Sequence, residues 1–442
     1  MRLIGQVSCR TALVALLLLA CGTATVRDAV APVPSLAGYG AEAVAVRAYT
    51  AERLAYYGGA TDCATAPFVA YARSNLDASV ADAWYVALQI SADATLVRLG
   101  AAEYRCEMDK ALVYLERLWA PDGGYAPRAD LGGTSPSPEE KFADDNALIG
   151  LTYLDAAAVT PDPNERARYL AAACRVATYL QQTYWDDAFD GGFWWSTRRA
   201  AAREGKPAQA NALATALFLR LHGATGDASW RAWADRTLAW LDVTLWDDDA
   251  GLYHWGTHYA DPPAQSGQAV SPYYFNYDQG LLIEAYLLRH QAGDPGGADL
   301  ARAQRIAAAL DDTFWDARRP GYSLRSGVVW IYPVFAAWLT PPLIALYHSD
   351  PNPRWLEMAR RNVEALATSM RDADEGGYYD YAWDCTRWTT RRQQCPESGW
   401  VMSGAKPSGA QASVQRALAA LAEVAAPTAP TTLIGSAPLP SS

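Results

Sequence analysis

Two aspartates, Asp144 and Asp145, stand side by side in the stretch "KFADDNALIGLTYLDAA", at the head of an otherwise apolar, Ala-rich helix. Two ionised groups this close repel, and each raises the pKa of the other. A helix needs one N-cap at most, so one reading of the pair is a cap followed by an acid that matches the helix dipole. The other reading is two acids with different tasks, one ionised and one protonated, as glycoside hydrolysis requires. Retaining glycosidases hold their carboxyls about 5–5.5 Å apart and inverting ones about 6.5–9.5 Å. Adjacent residues on a helix point roughly 100° apart. An acid still outside helical geometry at the helix entrance brings the shorter separation within reach.

Something must hold such a pair at one face, and the chain has a rhythm that does so. Aromatic-acid-glycine loops recur, led by Trp119, Trp185, Trp246 and Trp315 at spacings of 66, 61 and 69 residues. Between them the apolar period is helical. Segments such as "RARYLAAACRVATYLQQTYW" are amphipathic and read as outer helices, whereas "DDNALIGLTYLDAAAV" and "ANALATALFLRLH" are more uniformly apolar and read as inner ones. Six inner helices are counted, with five outer helices after them and a sixth outer helix near residues 41–57. The expected fold is all-α: an (α/α)6 toroid with short strands in the loops of one face, each unit burying its apolar surface against its neighbours. An open solenoid is the alternative. Each loop leads from an outer helix into the next inner one, so the loops gather where the inner helices begin. Asp144, Asp145, Asn211, Tyr277, Asp278 and Gln279 all fall there.

The four leading tryptophans read as caps on the core. Trp194, Trp195, Trp255 and Trp330 are candidates for contact with a ligand. Flat rings beside Asp, Asn and Gln suit a sugar, which has apolar C–H faces and a hydroxyl rim, and no glycine fingerprint for a phosphate or a flavin is present. No cofactor is expected, and no Cys/His spacing reads as a metal site. The formal charge of −11, without a basic patch, argues against a nucleic-acid partner.

The two ends of the chain read differently. Arg2 and Arg10 precede the short apolar run "TALVALLLLA", and "LLAC" resembles a bacterial lipobox. Residues 1–21 are expected to be a secretory signal peptide, with Cys21 as the lipidated residue that anchors the chain to a membrane surface. Residues 22–38 read as a flexible linker, 39–425 as the catalytic domain, and 426–442 as a disordered Pro/Thr/Ser tail. The protein is therefore expected outside the cytoplasm, as a secreted, monomeric lipoprotein. An oxidising compartment permits disulfides. Cys385 with Cys395 is the first choice and Cys63 with Cys106 the second, while Cys174 reads as a buried helical thiol.

Three motifs in order, "FADDNALIGL", then "DGGFWW" with "QANALATALFLRLHGATGD", then "FNYDQGLLIEAYLLRHQAGD", resemble those of glycoside hydrolase family 76, the α-1,6-mannanase family. The resemblance runs from about residue 80 to 425. It implies an (α/α)6 fold and retaining cleavage of an α-mannan, with Asp144 as nucleophile and Asp145 as general acid/base. Two rivals are a sugar epimerase or isomerase on a similar toroid, which would depend on paired histidines, and a non-catalytic glycan-binding surface lipoprotein. His254 and His258 lie on the loop side, and His222, His290 and His348 at the opposite ends of inner helices.

Overall fold

A computed structural model describes residues 38–128, 140–199, 205–261, 264–294, 296–317, 321–387, 395 and 399–425. The expected signal segment with Cys21, the expected linker up to residue 37 and the tail from residue 426 lie outside the described residues.

The helices alternate between two concentric rings. The inner ring is α2 (Ala83–Arg98), α4 (Ala143–Val159), α6 (Ala208–Thr225), α8 (Asn276–Gln291), the short α10 (Pro333–Ala336) continuing through a 3-10 turn into α11 (Thr340–Ser349), and α13 (Ser408–Ala425). The outer ring is α1 (Tyr39–Arg53), α3 (Arg105–Glu116), α5 (Pro163–Thr183), α7 (Ala228–Thr244), α9 (Ala298–Phe314) and α12 (Pro353–Ser369). Each inner helix packs on its inner neighbours, and α13 packs on both α1 and α2, so the ring is closed and the open solenoid is ruled out. The inner helices are buried on nearly every side, as in "ANALATALFL" of α6, whereas the outer helices bury one stripe. No described helix is long and apolar enough to cross a membrane.

The two faces of the ring differ in how the helices begin. Outer helices α5, α7 and α12 are closed by side chains: Asp162, Asp227 and Asn352 accept from first-turn N–H groups. Inner helices α4, α6 and α8 start after Phe142, Pro207 and Phe275, none of which caps with its side chain. The positive ends of the inner helices are therefore turned to the loop face.

A repeated set of contacts fixes that face. The fourth residue of four inner helices is an amide: Asn146, Asn211, Gln279 and Gln411. Each accepts from the backbone N–H of a loop aromatic and returns a bond to the same residue's carbonyl: Tyr125, Phe193, Tyr253 and Tyr378 respectively. Three of the chain's four lysines, Lys141, Lys206 and Lys406, stand two residues before an inner helix and reach back to Asp122, Asp186 and Asp372 of the preceding loop. Before α8 the same position is Tyr274, whose hydroxyl donates to Asp247 at 2.6 Å. The leading tryptophans Trp119, Trp185, Trp246 and Trp315 each lie under an arginine of the next outer helix, Arg175, Arg236, Arg302 and Arg361, at 3.8–4.3 Å from the ring centroid. Glycine is required in these loops where the turn is tightest: Gly124 has φ of 74°, and a Cβ there would overlap the Tyr179 ring.

The seam that closes the ring is polar. Arg47 of α1 donates to Asp93 of α2 at 2.7 Å, and both are fully buried. Gln89 and, from α13, Gln415 donate to the same Asp93 oxygen. Cys63 is bonded to Cys106 and Cys385 to Cys395, with Cα separations of 6.1 and 5.7 Å. Cys174 is buried in α5. The loops carry more sheet than "GGFWWST" suggests. Lys206–Pro207, Gly256–Asp261 and Ser266–Val270 form one antiparallel sheet, and Trp330–Ile331, Ala382–Asp384 and Trp400–Met402 another.

Candidate active site

A cavity of about 580 Å3 opens at the loop face, over the first turns of the inner helices. Asp144 and Asp145 lie in it together. Asp144, Gln209 and Tyr277 are the second residues of α4, α6 and α8, and Trp84 is the second residue of α2; all four line the cavity. Successive units related by the ring thus present the same rotational position of their first turn to one space. Trp84, Tyr85, Phe335 and Trp338 form an aromatic wall on one side, with Trp84 5.2 Å from Trp338 and 5.8 Å from Phe335. Trp195 and Phe142, 5.2 Å apart, form the other.

The two acids have different surroundings. The indole N–H of Trp195 donates to Asp144 Oδ1 at 2.9 Å. Burial raises the Asp144 pKa, and this rise is opposed by bonds from Trp195, from the Asp145 backbone N–H and from the Gln209 side chain. Asp145 receives no such donor among the described residues. Burial pushes its pKa well above the ordinary carboxylate value, and the charges of Asp144 and then Asp82 push it further. Asp82 immediately precedes α2 without capping it by its side chain, lines the same cavity, and is paired with Arg128 at 3.0 Å and Arg73 at 3.5 Å. Within the pair, Asp144 is therefore the better carboxylate and Asp145 the better proton carrier.

The other residues expected at the site are placed unequally. Tyr277 lines the cavity, stacked on Phe335 at 4.5 Å. Trp194 does not line it: it is 1 % exposed, donates to Asp186 at 2.6 Å and packs on Phe189 and Tyr259. Asn211 and Gln279 are fully buried and spent on the loop clamps described above, so their polarity serves the backbone. Trp255 does not line the cavity; its ring lies against Phe275, with centroids 6.2 Å apart. Trp330 stands farther out, beside Tyr332 and Tyr381 in the strand pairing of the second sheet. Asp278 is fully buried behind Tyr277, and its carboxyl oxygens have no protein hydrogen bond; burial and then the charge of Asp144 raise its pKa.

Sequence reasoning missed Asp82, Trp84, Tyr85, Gln209, Phe335 and Trp338. A signal existed. "ADAWYVALQI" carries Trp84-Tyr85 in the same phase of its helix as Asp144-Asp145 in "FADDNALIGL", so aligning the starts of the inner helices finds them. No histidine lines the cavity. His254 stacks on Tyr274 at 4.8 Å, and burial lowers its pKa. The paired-histidine chemistry of an epimerase therefore has no residues here to perform it. Among the described residues, no group of three or more His, Cys, Asp or Glu could hold a metal ion.

A sequence profile described as "Glycosyl hydrolase family 76" matches residues 56–324. No curated protein sequence is significantly similar to the chain. An α-mannanase of that family from Bacteroides thetaiotaomicron is similar in structure over 88 % of this chain and 97 % of its own, with a TM-score of 0.68 and 17 % identity. An α-1,6-mannanase from Salegentibacter is similar over 88 % of this chain and 100 % of its own, with a TM-score of 0.65 and 19 % identity. It was solved as an inactive variant, with two consecutive aspartates replaced by asparagine, in complex with α-1,6-mannotriose. The fold is also shared by a sugar epimerase from a ruminal bacterium, over 78 % of this chain and 88 % of that one, with a TM-score of 0.60 and 12 % identity. At such identities these likenesses establish the fold, and the chemistry must come from the site.

Proposed function

The chain belongs to glycosyl hydrolase family 76, and from that premise we propose that it cleaves α-1,6-mannosidic bonds of an α-mannan with retention, through Asp144 and Asp145. The observation that carries this reading is the asymmetry of the pair: Asp144 accepts the indole N–H of Trp195, while Asp145 has no such donor among the described residues and is near the carboxylates of Asp144 and Asp82. Asp144, ionised, attacks the anomeric carbon and forms a glycosyl ester. Asp145 gives its proton to the departing glycosidic oxygen. In the second half-reaction Asp145 takes a proton from water, the water oxygen attacks the anomeric carbon, and Asp144 leaves as carboxylate. The aromatic walls on either side of the pair offer flat faces to the sugars flanking the cleaved bond. The inactive Salegentibacter variant, altered at two consecutive aspartates, supports the assignment of the pair. Tethering through Cys21 would hold this activity at an extracytoplasmic membrane surface.

The test is product analysis. The purified protein, incubated with linear α-1,6-mannan and with mannans of other linkages, should release oligosaccharides from the first, and the newly formed reducing end should be α by early-time NMR. A β product would refute retention, and binding without release would replace the enzyme with a glycan-binding protein.

A further inference from the structure

The aromatic wall of the cavity continues beyond the cavity. The second residues of α4, α6 and α8 are Asp144, Gln209 and Tyr277, but that of α13 is Gly409. A Cβ at Gly409 would overlap the Tyr85 ring, so glycine there lets Tyr85 lie against the first turn of α13. From Phe335 the rings run outward. Tyr332 is 6.1 Å from Phe335, and Tyr381 and Trp330 are 5.4 and 5.2 Å from Tyr332. The second sheet sets this spacing. Ile331 pairs with Ala382 across antiparallel strands, so Tyr332 and Tyr381, next in register, stand opposite each other. All three outer rings are partly exposed.

The polar ends of these side chains are unbonded. Elsewhere in the loops, tyrosine hydroxyls serve the fold: Tyr322 donates to Asp311 and Tyr379 to Asp372, each at 2.8 Å. Among the described residues, the hydroxyls of Tyr85, Tyr332 and Tyr381 have no hydrogen bond, and the carboxyl of Asp380 has neither a hydrogen bond nor an ion pair. Asp380 comes two residues after the clamped aromatic Tyr378. Trp195 and Pro127 hold the same place after Phe193 and Tyr125, and both line the cavity. Burial, and then the charge of Asp380, raise the pKa of both Tyr85 and Tyr332. Rings that serve only a core are buried and their hydroxyls paired. Open flat faces beside an unbonded carboxylate suit a sugar.

We infer that Tyr332, Tyr381 and Asp380 form a distal sugar subsite, continuous with the cavity through Tyr85 and Phe335, which holds a unit of the glycan chain beyond those at Asp144 and Asp145. The inference rests on the reading of the cavity as a mannan site. The occupant is a stretch of the substrate itself, because the shelf is continuous with the wall beside the acids. The rings take the C–H face of the sugar, and Asp380 accepts from its hydroxyls. Binding energy gained away from the bond to be broken can be used to orient that bond at the acids, so longer chains are the better substrates.

The experiment measures kcat/KM of the parent, Tyr381→Ala and Asp380→Asn on linear α-1,6-mannotriose and α-1,6-mannohexaose, with thermal unfolding to show that the variants fold. Asp380→Asn keeps the shape of a side chain that bonds nothing in the fold, so it tests the subsite even where Tyr381→Ala disturbs the strand. The parent should prefer the hexaose. Each variant should lose roughly tenfold on the hexaose and a clearly smaller factor on the triose. Equal losses at both lengths, or no loss on the hexaose in either variant, would overturn the subsite. If the parent cleaves no mannan, the functional reading fails but the subsite is still decided, by calorimetric titration with the hexaose. A Kd weakened roughly tenfold in Asp380→Asn sustains it. An equal Kd, or no binding to the parent, ends it.

Discussion

Asp144 receives the indole N–H of Trp195 at 2.9 Å, although Trp195 belongs to the loop that leads into the next inner helix. The aspartate is thus positioned by two units of the ring at once. Trp195→Phe keeps a flat face in the cavity and removes the donor. A bond to a charged group contributes about 1.5–3 kcal/mol, so kcat/KM should fall roughly 10- to 100-fold, with the acid limb moved to higher pH. Loss of substrate affinity alone, with the limb in place, would make Trp195 only a sugar platform.

Asp144→Asn and Asp145→Asn should each reduce turnover by orders of magnitude while the fold survives, and they should differ in kind. Substrates with good leaving groups need little acid assistance, so Asp145→Asn should still form the glycosyl ester on an activated aryl α-mannoside and show a burst. Asp144→Asn should not. Equal activity of both variants and the parent on α-1,6-mannan would reduce the pair to a helix cap.

Asp82 lines the same cavity as Asp145, and its charge helps to raise the Asp145 pKa. Asp82→Asn should therefore lower the pH at which Asp145 loses its proton. The alkaline limb of kcat/KM should move to lower pH while activity on the acid side is kept. An alkaline limb at the parent's position would show that the ion pairs with Arg128 and Arg73 already cancel the Asp82 charge.

Stability should show the opposite preference from activity. The folded-state pKa of Asp145 lies above its unfolded value. Its contribution is therefore fully present below the unfolded pKa and is lost as pH rises through the folded one. Asp145→Asn, uncharged at every pH, should raise Tm at neutral and alkaline pH, with the gain vanishing in acid. A Tm difference independent of pH would contradict the assigned direction.

Asn211 and Gln279 should behave as structure. Asn211→Ala leaves the Phe193 N–H and carbonyl unpaired in a dry interior, at about 1–3 kcal/mol for each group. Thermal unfolding should show a clear loss of stability, with KM of the remaining folded enzyme unchanged. A large rise in KM without loss of Tm would restore the sugar-contact role expected from the sequence.

What could be read in advance follows from where the information lies. The ring was legible because Trp119, Trp185, Trp246 and Trp315 repeat one local solution, a tryptophan under the next unit's arginine, and repetition survives without coordinates. Asp144 and Asp145 were legible because two acids at the head of an apolar helix have few structural reasons to be there. Asn211 and Gln279 were misread because a polar group on a loop face looks the same whether it serves a sugar or a backbone. The tell was Asn146 and Gln411, amides at the same helix position in two further units. Trp84, Phe335 and Trp338 escaped because aromatics inside apolar helices are absorbed by the core pattern, and only the three-dimensional phase of the first turn shows them facing inward. The hairpin at Gly256–Asp261 and Ser266–Val270 was missed because its strands carry little of the apolar alternation that marks a half-buried sheet.

The closing seam sets the order in which the protein can be completed. Asp93 is fully buried, and Gln415, which helps to satisfy it, is more than 300 residues away on the last inner helix. Until α13 arrives, α1 and α2 lack their partner on that side, and Arg47 and Asp93 face solvent or an unfinished core. Joining elements so distant in sequence makes folding slow, and it leaves apolar surface uncovered in the meantime. A chain truncated before Ser408 would therefore lose the register of the whole ring, and a ribosome must finish nearly the entire message before any of its product can seal.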